Sequence, residues 1–357
     1  MQLGIIGLPV AGKTTIFNAL TGSALATGAL AGGGRVEVHT AVVDVPDERV
    51  DALSRLYRPK KTTYAKVTYA DIGGLRAEAG REGLPGTLLN QLAQMDGFVH
   101  VVRAFDDPAA PHPSGSVDAA RDLAAMESEF LLNDMLVVER RLERLNEERQ
   151  RGGRERAAVE REIAIFLRLS EALAQNHPLR TLAFSLEEDR LLTGFGLLSR
   201  KPMLVVGNTA EGGQAPALQP PSSGVAVLAL QGKLESEIAQ LPPDEIAAYL
   251  AEYDIDEPGR MRVIRESYDL LGLLSFFTVG EDEVRAWRLR RGGTALEAAG
   301  AVHTDLARGF IRAEVIAWDE LLALGGLPQA RTHGKLRLEG KDYVVSEGEV
   351  VHIRFNV

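Results

Sequence analysis

Cysteine is missing from all 357 residues, which excludes disulfides, zinc–thiolate centres and thiol redox control. Long apolar runs are missing as well. The longest, such as Met203 to Val206 and Val225 to Leu230, fall far short of the roughly 20 residues that span a bilayer. There is no surplus of positive charge. With 40 Lys and Arg against 50 Asp and Glu the formal net charge is −10, so binding to nucleic acid through bulk charge is not expected, while a local basic patch stays open. The first residues carry no basic region and no signal-peptide core, and they enter a strand pattern at once. A cytoplasmic protein is expected, with no disulfide partner and no membrane. What is present is an ordinary apolar content of 45% on a chain long enough for two or three domains and a sizeable core. No internal repeat is visible.

The most informative stretch is GLPVAGKTT, Gly7 to Thr15. It follows a short apolar run, Leu3 to Ile6, and precedes Ile16 to Gly22, which has helical spacing and a glycine stop. Strand, glycine-bounded loop and helix in that order match the phosphate-binding pattern G-x-x-x-x-G-K-[ST] in its required context. Gly7 and Gly12 permit backbone turns that a side chain would block. The N–H groups of Leu8, Pro9-Val10-Ala11 (proline excepted), Gly12, Lys13, Thr14 and Thr15 can then face an anion at the positive end of the helix. Lys13 supplies a mobile charge for the β- and γ-phosphates, and Thr14 a hydroxyl for Mg²⁺. Pro9 stiffens the loop. The plain alternative is a glycine turn with a surface lysine.

Farther along, Ser23 to Gly34 is rich in Ala and Gly and reads as a loop, where the first switch of a P-loop NTPase would sit. Val36 to Val45 and Thr63 to Ala70 read as strands, with helical spacing between them over Pro46 to Tyr57, carried by Val50, Leu53 and Leu56. Phe98 to Phe105 reads as a buried strand, and Pro108 to Ser116 as a connector. Val117 to Gln150 has an apolar stripe of Leu131, Met135, Val138, Leu142 and Leu145. Gly152-Gly153 breaks it, and Arg154 to Gln175 follows with Val159, Ile163, Phe166, Leu169 and Leu173. Two long amphipathic helices around a glycine turn predict an antiparallel coiled-coil arm. The alternating Arg and Glu of Glu139 to Glu162 read as a solvated face laced with ion pairs. Strands return at Pro202 to Gly207 and Val225 to Ala229, and helices at Leu241 to Leu250 and Glu257 to Leu271. From Val279 the chain predicts a small separate α+β domain, with a helix around Thr294 to Ala307 and a half-exposed antiparallel sheet over Lys335 to Val357.

Two further segments carry nucleotide chemistry. Asp71-Ile72-Gly73-Gly74 fits D-x-x-G at a strand end, where the Asp reaches the Mg²⁺ shell and the N–H of Gly74 senses the γ-phosphate. The next residue is Leu75, which cannot orient a water as a glutamine would. Base recognition in GTPases uses N-K-x-D after a strand. Here the strand MLVVG leads into Asn208-Thr209-Ala210-Glu211, with Thr209 at the Lys position and Glu211 at the Asp position. A displaced acid relaxes the preference for guanine.

With these residues in view, the chain resembles the Obg-like ATPase family, YchF, among the translation-factor-related P-loop NTPases, over nearly its full length. GLPVAGKTT is similar to the family's P-loop, DIGGL to its D-x-x-G-L, and NTAE to the N-x-x-E tied to ATP use. LQGKLE, with Gln231, Gly232 and Lys233, resembles the segment that closes over the base. YDLLGLLSFFTVGEDEVRAW, VHTDLARGFIRAEV and the C-terminal GKLRLEGKDYVVSEGEVVHIRFNV resemble its TGS domain. The chain departs from the family at Val10, where an Asn that helps hold a monovalent cation is usual, and in RVEVHT, Arg35 to Thr40, which leaves Thr40 as the candidate switch threonine.

The resemblance implies an α/β fold: a P-loop NTPase domain over 1–110 and 200–272, an inserted antiparallel helical arm over 111–199, and a ubiquitin-like α+β TGS domain over 273–357. It implies ATP binding with Mg²⁺, GTP as a second nucleotide, slow hydrolysis, and a regulatory association with the ribosome, its large subunit and RNA. The roles would be Lys13, Asp71 and Gly74 in catalysis, Thr14 and Asp71 at the metal, and Asn208 and Glu211 facing the base. The rival readings are a non-hydrolysing nucleotide-dependent binding module, motivated by Val10, Leu75 and the first switch, a GTP-preferring GTPase, and a purely structural adaptor.

Overall fold

The structure, a computed structural model, describes residues 1–27, 38–73, 84–152, 154–252 and 257–356. Two compact units divide the chain, one comprising Met1–Ala41 and Thr68–Val263, the other Val42–Val67 and Ile264–Val357. The sequence pattern assigned 42–67 to the nucleotide-binding segment. Those residues instead group with the C-terminal part of the chain.

The elements, in chain order, begin with β1 Gln2–Ile6, α1 Lys13–Thr21, β2 Val38–Asp44, α2 Glu48–Tyr57, β3 Lys61–Thr63, β4 Lys66–Ile72, α3 Gly86–Gln94 and β5 Gly97–Ala104. Next come α4 Ala119–Arg151, α5 Arg156–Ala174, β6 Met203–Thr209, β7 Val225–Leu230, α6 Gly232–Ile238 and α7 Gly259–Leu270. The C-terminal part contains β8 Leu273–Thr278, β9 Glu283–Arg290, α8 Ala295–Val302, β10 Phe310–Ala317, β11 Arg337–Glu339 and β12 Glu349–Phe355, with shorter helices between.

The first sheet has the strand order β2-β4-β1-β5-β6-β7. β1 pairs in parallel with β4 (Leu3 opposite Tyr69) and with β5 (Gly4 opposite Phe98), and β5–β6 and β6–β7 are parallel too. Parallel strands covered on both faces need near-continuous apolar sequence. β5 and β6 supply it, every residue being buried except Ala104 at the end of β5. Against this sheet pack Leu88 and Leu92 of α3 and Leu123, Met126 and Phe130 of α4, with the rings of Phe98 and Phe130 5.2 Å apart.

α4 is 33 residues long, about 50 Å at 1.5 Å per residue. Its first turns belong to the sheet's core. Beyond Phe130 it packs α5 instead, burying Leu131, Val138 and Leu145 against Val159, Phe166, Leu169 and Leu173, with Met135, Leu142 and Ile163 half-buried at the seam. This is the stripe read from periodicity. The root is fixed by buried acids. Asp134, fully buried, accepts the N–H groups of Leu198 and Ser199 and the Ser199 hydroxyl, and Glu127 pairs with the buried Arg180 at 2.9 Å. Most arginines along the pair are neutralised locally. Arg141 and Arg154 both reach Glu148 and Glu162, and Arg156 reaches Glu160.

The second unit is built on a sheet of order β11-β10-β12-β8-β9-β3. β8–β9, β10–β11 and β10–β12 are antiparallel, whereas β8–β12 and β3–β9 are parallel. Ala295, Ala298 and Ala299 let α8 approach Phe276, Val315, Val351 and Ile353 closely. The helix expected over Thr294 to Ala307 is two helices. His303 is extended (φ −163°) and its Nδ1 accepts the N–H of Asp305, ending one helix and capping the next, Thr304–Arg308.

Candidate functional site

The chain leaves β1 at its carboxyl end into the loop 7–12, and the ends of β4, β5, β6 and β7 come out on the same edge of the parallel sheet. Crevices at that edge are where open α/β sheets bind ligands. The glycines at the two ends of the loop are both demanded by geometry. At Gly7 (φ +149°) a Cβ would meet the Val101 carbonyl oxygen at 2.3 Å, and at Gly12 (φ +89°) it would meet the Asn208 Nδ2 at 2.2 Å. Val10 also has a left-handed backbone, with φ +56°. For a β-branched residue that conformation costs about 1–2 kcal/mol.

Among the described residues no side chain caps the N-terminus of α1, whose N-cap is Gly12. The first helical N–H groups therefore point at whatever occupies the loop. Lys13 is half-buried, and its ammonium donates to the carbonyls of Gly7 and Leu8 at 3.0 Å each. Burial pushes its pKa down to about 8, partly offset by the negative charge of Asp71. Behind the loop on β5, His100 is fully buried. Its pKa falls to about 3 through burial and the neighbouring charges of Lys13 and Arg180, so the imidazole is neutral.

Thr14 and Asp71 meet. The Thr14 hydroxyl donates to Asp71 Oδ2 at 2.7 Å, and the other carboxylate oxygen, Oδ1, is buried without a hydrogen-bond partner among the described residues. A hydroxyl and a carboxylate with a free oxygen, beside an anion-binding loop, fit a divalent cation that keeps several waters and shares phosphate oxygens. Gly74 and Leu75 lie outside the described residues. Thr40 is exposed on β2.

At the end of β6, Asn208 is buried and uses both ends of its amide. Nδ2 donates to the Ala11 carbonyl at 3.0 Å, and Oδ1 accepts the N–H of Gly232 at 3.1 Å. The Asn208 side chain thus ties the phosphate loop to the segment 230–232, a task the sequence pattern did not reveal. Thr209 is also buried, its hydroxyl 3.4 Å from the Leu230 carbonyl. The Gly212 N–H donates to Gln231 Oε1 at 3.3 Å. Glu211 and Lys233 are exposed. The segments 208–212 and 230–232 are therefore stitched together beside the loop.

The sequence missed Arg103, at the end of β5. Its guanidinium is buried and bonded to the carbonyls of Val10, Phe105 and Ala110. The signal was a charged residue closing an otherwise apolar strand.

A glycine-bounded loop, a hydrogen-bonded Thr14–Asp71 pair and the stitched segments 208–212 and 230–232, all at one edge of a parallel sheet, define a P-loop NTPase domain of the GTPase class. The family model described as 50S ribosome-binding GTPase matches residues 2–140, and the YchF-GTPase C-terminal model, described as a protein of unknown function, matches residues 273–356. The chain is 40% identical, over the whole of both proteins, to the ribosome-binding ATPase YchF of Bacillus subtilis (strain 168). It is 33% identical to the Obg-like ATPase 1 of Oryza sativa subsp. japonica, covering all of this chain and 92% of that one. The structure of the Schizosaccharomyces pombe YchF GTPase superposes with a TM-score of 0.84 at 30% identity, over 99% of this chain and 97% of that one. The chain belongs to the YchF family.

Proposed function

We propose that this protein is a cytoplasmic, ribosome-binding ATPase that holds ATP with Mg²⁺, hydrolyses it slowly and uses the bound state as a regulatory switch. The observation that carries this is the convergence of Lys13, Thr14 and Asp71 at one edge of the sheet, in a chain whose full-length relatives are named ribosome-binding ATPases. The loop backbone and Lys13 hold the β- and γ-phosphates. Thr14 and Asp71 hold Mg²⁺, which when bound neutralises phosphate charge. Gly74 is the γ-phosphate sensor. Among the described residues no helix is long and apolar enough to cross a membrane. In this reading 1–110 and 200–272 serve the nucleotide, the α4–α5 pair within 111–199 is a projecting arm, and 273–357 is a TGS domain, with residues 42–67 packed on it. Single-turnover hydrolysis of ATP, compared with Lys13→Ala, tests the enzymatic part.

ATP is expected to bind at least as tightly as GTP, because Glu211 stands where a guanine-reading Asp would and Thr209 where a Lys would. Since Thr209 is buried, the acid is the residue to change. Glu211→Asp is expected to move the ATP-to-GTP affinity ratio toward GTP by about threefold or more, roughly 0.7 kcal/mol. A native preference for GTP of about tenfold, or an unmoved ratio in the variant, contradicts this assignment.

For the ribosome, large subunit and RNA included, an acidic chain needs a local cationic face. On β9, Arg285 stacks 3.8 Å over Trp287 and lies near Glu283, and Arg291 pairs with Asp269, but Arg288 and Arg290 are exposed and form no ion pair among the described residues. Arg288→Glu with Arg290→Glu is expected to abolish cosedimentation with ribosomes at low salt while ATP titrations stay as in the native protein. Unimpaired cosedimentation, or native binding that ignores added salt, would move the contact elsewhere.

A further inference from the structure

Among the described residues Arg103 heads the largest fully buried side chains, being 2% exposed. Its Nε donates to the Phe105 carbonyl at 2.9 Å. Its Nη1 donates to the Ala110 carbonyl at 2.8 Å and to the Val10 carbonyl at 3.3 Å, and the guanidinium lies 4.6 Å from the centre of the Phe105 ring. Among the described residues no carboxylate lies within ion-pair distance of it. A buried cation that has carbonyl dipoles for company, and no acid, is costly to keep. Its position suggests what the cost serves. Val10 is the one described β-branched residue with a left-handed backbone, and the carbonyl of that strained turn is one of the three that Arg103 grips. The other two belong to the segment after β5, so a single side chain joins that segment to the phosphate loop.

We propose that Arg103 is the positioning residue of the phosphate loop. It holds Val10 in its left-handed turn, and with it the N–H groups from Gly12 to Thr14, before any nucleotide arrives; the Ala11 N–H is used within the loop, donating to the Leu8 carbonyl at 3.3 Å. The fork of the guanidinium is needed, because two carbonyls on different segments share one nitrogen while a third takes another. This deepens the nucleotide-binding reading and rests on it.

The test is a double-mutant cycle between Arg103→Gln and Val10→Gly, because glycine adopts the turn without the Cβ penalty and has less need of an external hold. In the native background Arg103→Gln is expected to weaken ATP and ADP binding at least tenfold. In the Val10→Gly background the same change is expected to cost threefold or less. The thermal midpoint without nucleotide should show the same coupling, with a smaller loss from Arg103→Gln when residue 10 is glycine. If Arg103→Gln does not fold, Arg103→Lys replaces it, since Lys keeps the charge and loses the fork. Equal losses in both backgrounds, or native affinity in the Arg103 variants, overturn the proposal. If the unmodified protein binds no nucleotide, the reading of the site has failed, and the coupling of midpoints alone decides whether Arg103 holds the turn.

Discussion

Replacing Lys13 by alanine is expected to weaken ATP binding by about a hundredfold, some 2.7 kcal/mol, which is the range of a charge-assisted hydrogen bond to a buried partner. The fold should survive. Among the described residues the ammonium donates to the Gly7 and Leu8 carbonyls and feels the charge of Asp71, and it is held against its own desolvation. That desolvation gives the prediction a second, sharper signature. The unliganded pKa is about 8, and triphosphate oxygens raise it, so above pH 8 binding takes up a proton. Affinity is therefore full below pH 8 and falls as pH rises beyond it, by up to about tenfold per unit until the pKa of the bound state is reached. The folding of the unliganded chain has the opposite trend. The unfolded lysine, at its ordinary value of 10.5, holds more protons than the folded one between pH 8 and 10.5, so this group adds stability as pH climbs through that window. Lys13→Ala should abolish both slopes. ATP titrations and thermal midpoints from pH 7 to 10 measure them. Affinity within threefold of native in the variant, or a native affinity that is flat across that range, would overturn the role given to Lys13.

How much of this was legible beforehand follows the range of the interactions. The phosphate loop is local, and glycine spacing next to a strand and a helix announces it; the clashes a Cβ would meet at Gly7 and Gly12 are the reason those glycines are there. The α4–α5 seam is local too, since periodicity alone picks out Leu131, Val138 and Leu145. Contacts between distant segments leave no such mark. Nothing in the vicinity of Asn208 says that its amide reaches Ala11, and nothing around Arg103 names Val10 as its partner. Residues 42–67 looked like part of the nucleotide domain because they lie between its motifs. What they join is fixed by pairings of high sequence separation, such as Lys61 beside Glu283 in β3–β9. The same blindness hid the parallel pairs in a C-terminal sheet that alternation had suggested was antiparallel. The sequence reading named no element over α3, whose first residue, Gly86, follows Pro85, a place where proline is well tolerated. Gly74 and Leu75, which the motif singled out, fall outside the described residues.

Asn208 is expected to matter as a strut, with effects on both nucleotides alike. Asn208→Ala strands the Ala11 carbonyl and the Gly232 N–H, each now bonded at about 3 Å to the amide, and each buried orphan costs about 1–3 kcal/mol. Water cannot easily take the vacated place, because Gly12 and Gly232 crowd the amide so closely that a Cβ on either would lie within 2.2 and 2.6 Å of it. A loss of about 2–4 kcal/mol in unfolding free energy is expected from these two terms. Part of that loss is recovered only if the loops relax, and relaxed loops no longer present their N–H groups in register. Affinity for ATP and for GTP should therefore fall together, by tenfold or more, with the ratio between them unchanged. Asn208→Asp separates the two bonds. It keeps an acceptor for Gly232, loses the donor to Ala11, and adds a carboxylate beside a carbonyl and an anion site, so it should bind triphosphates more weakly than Asn208→Ala and be more sensitive to salt. Denaturant unfolding without nucleotide and parallel ATP and GTP titrations make the comparison. A change in the ATP-to-GTP ratio, with unfolding free energy as in the native chain, would mean that Asn208 reads the base directly and that the strut assignment is wrong.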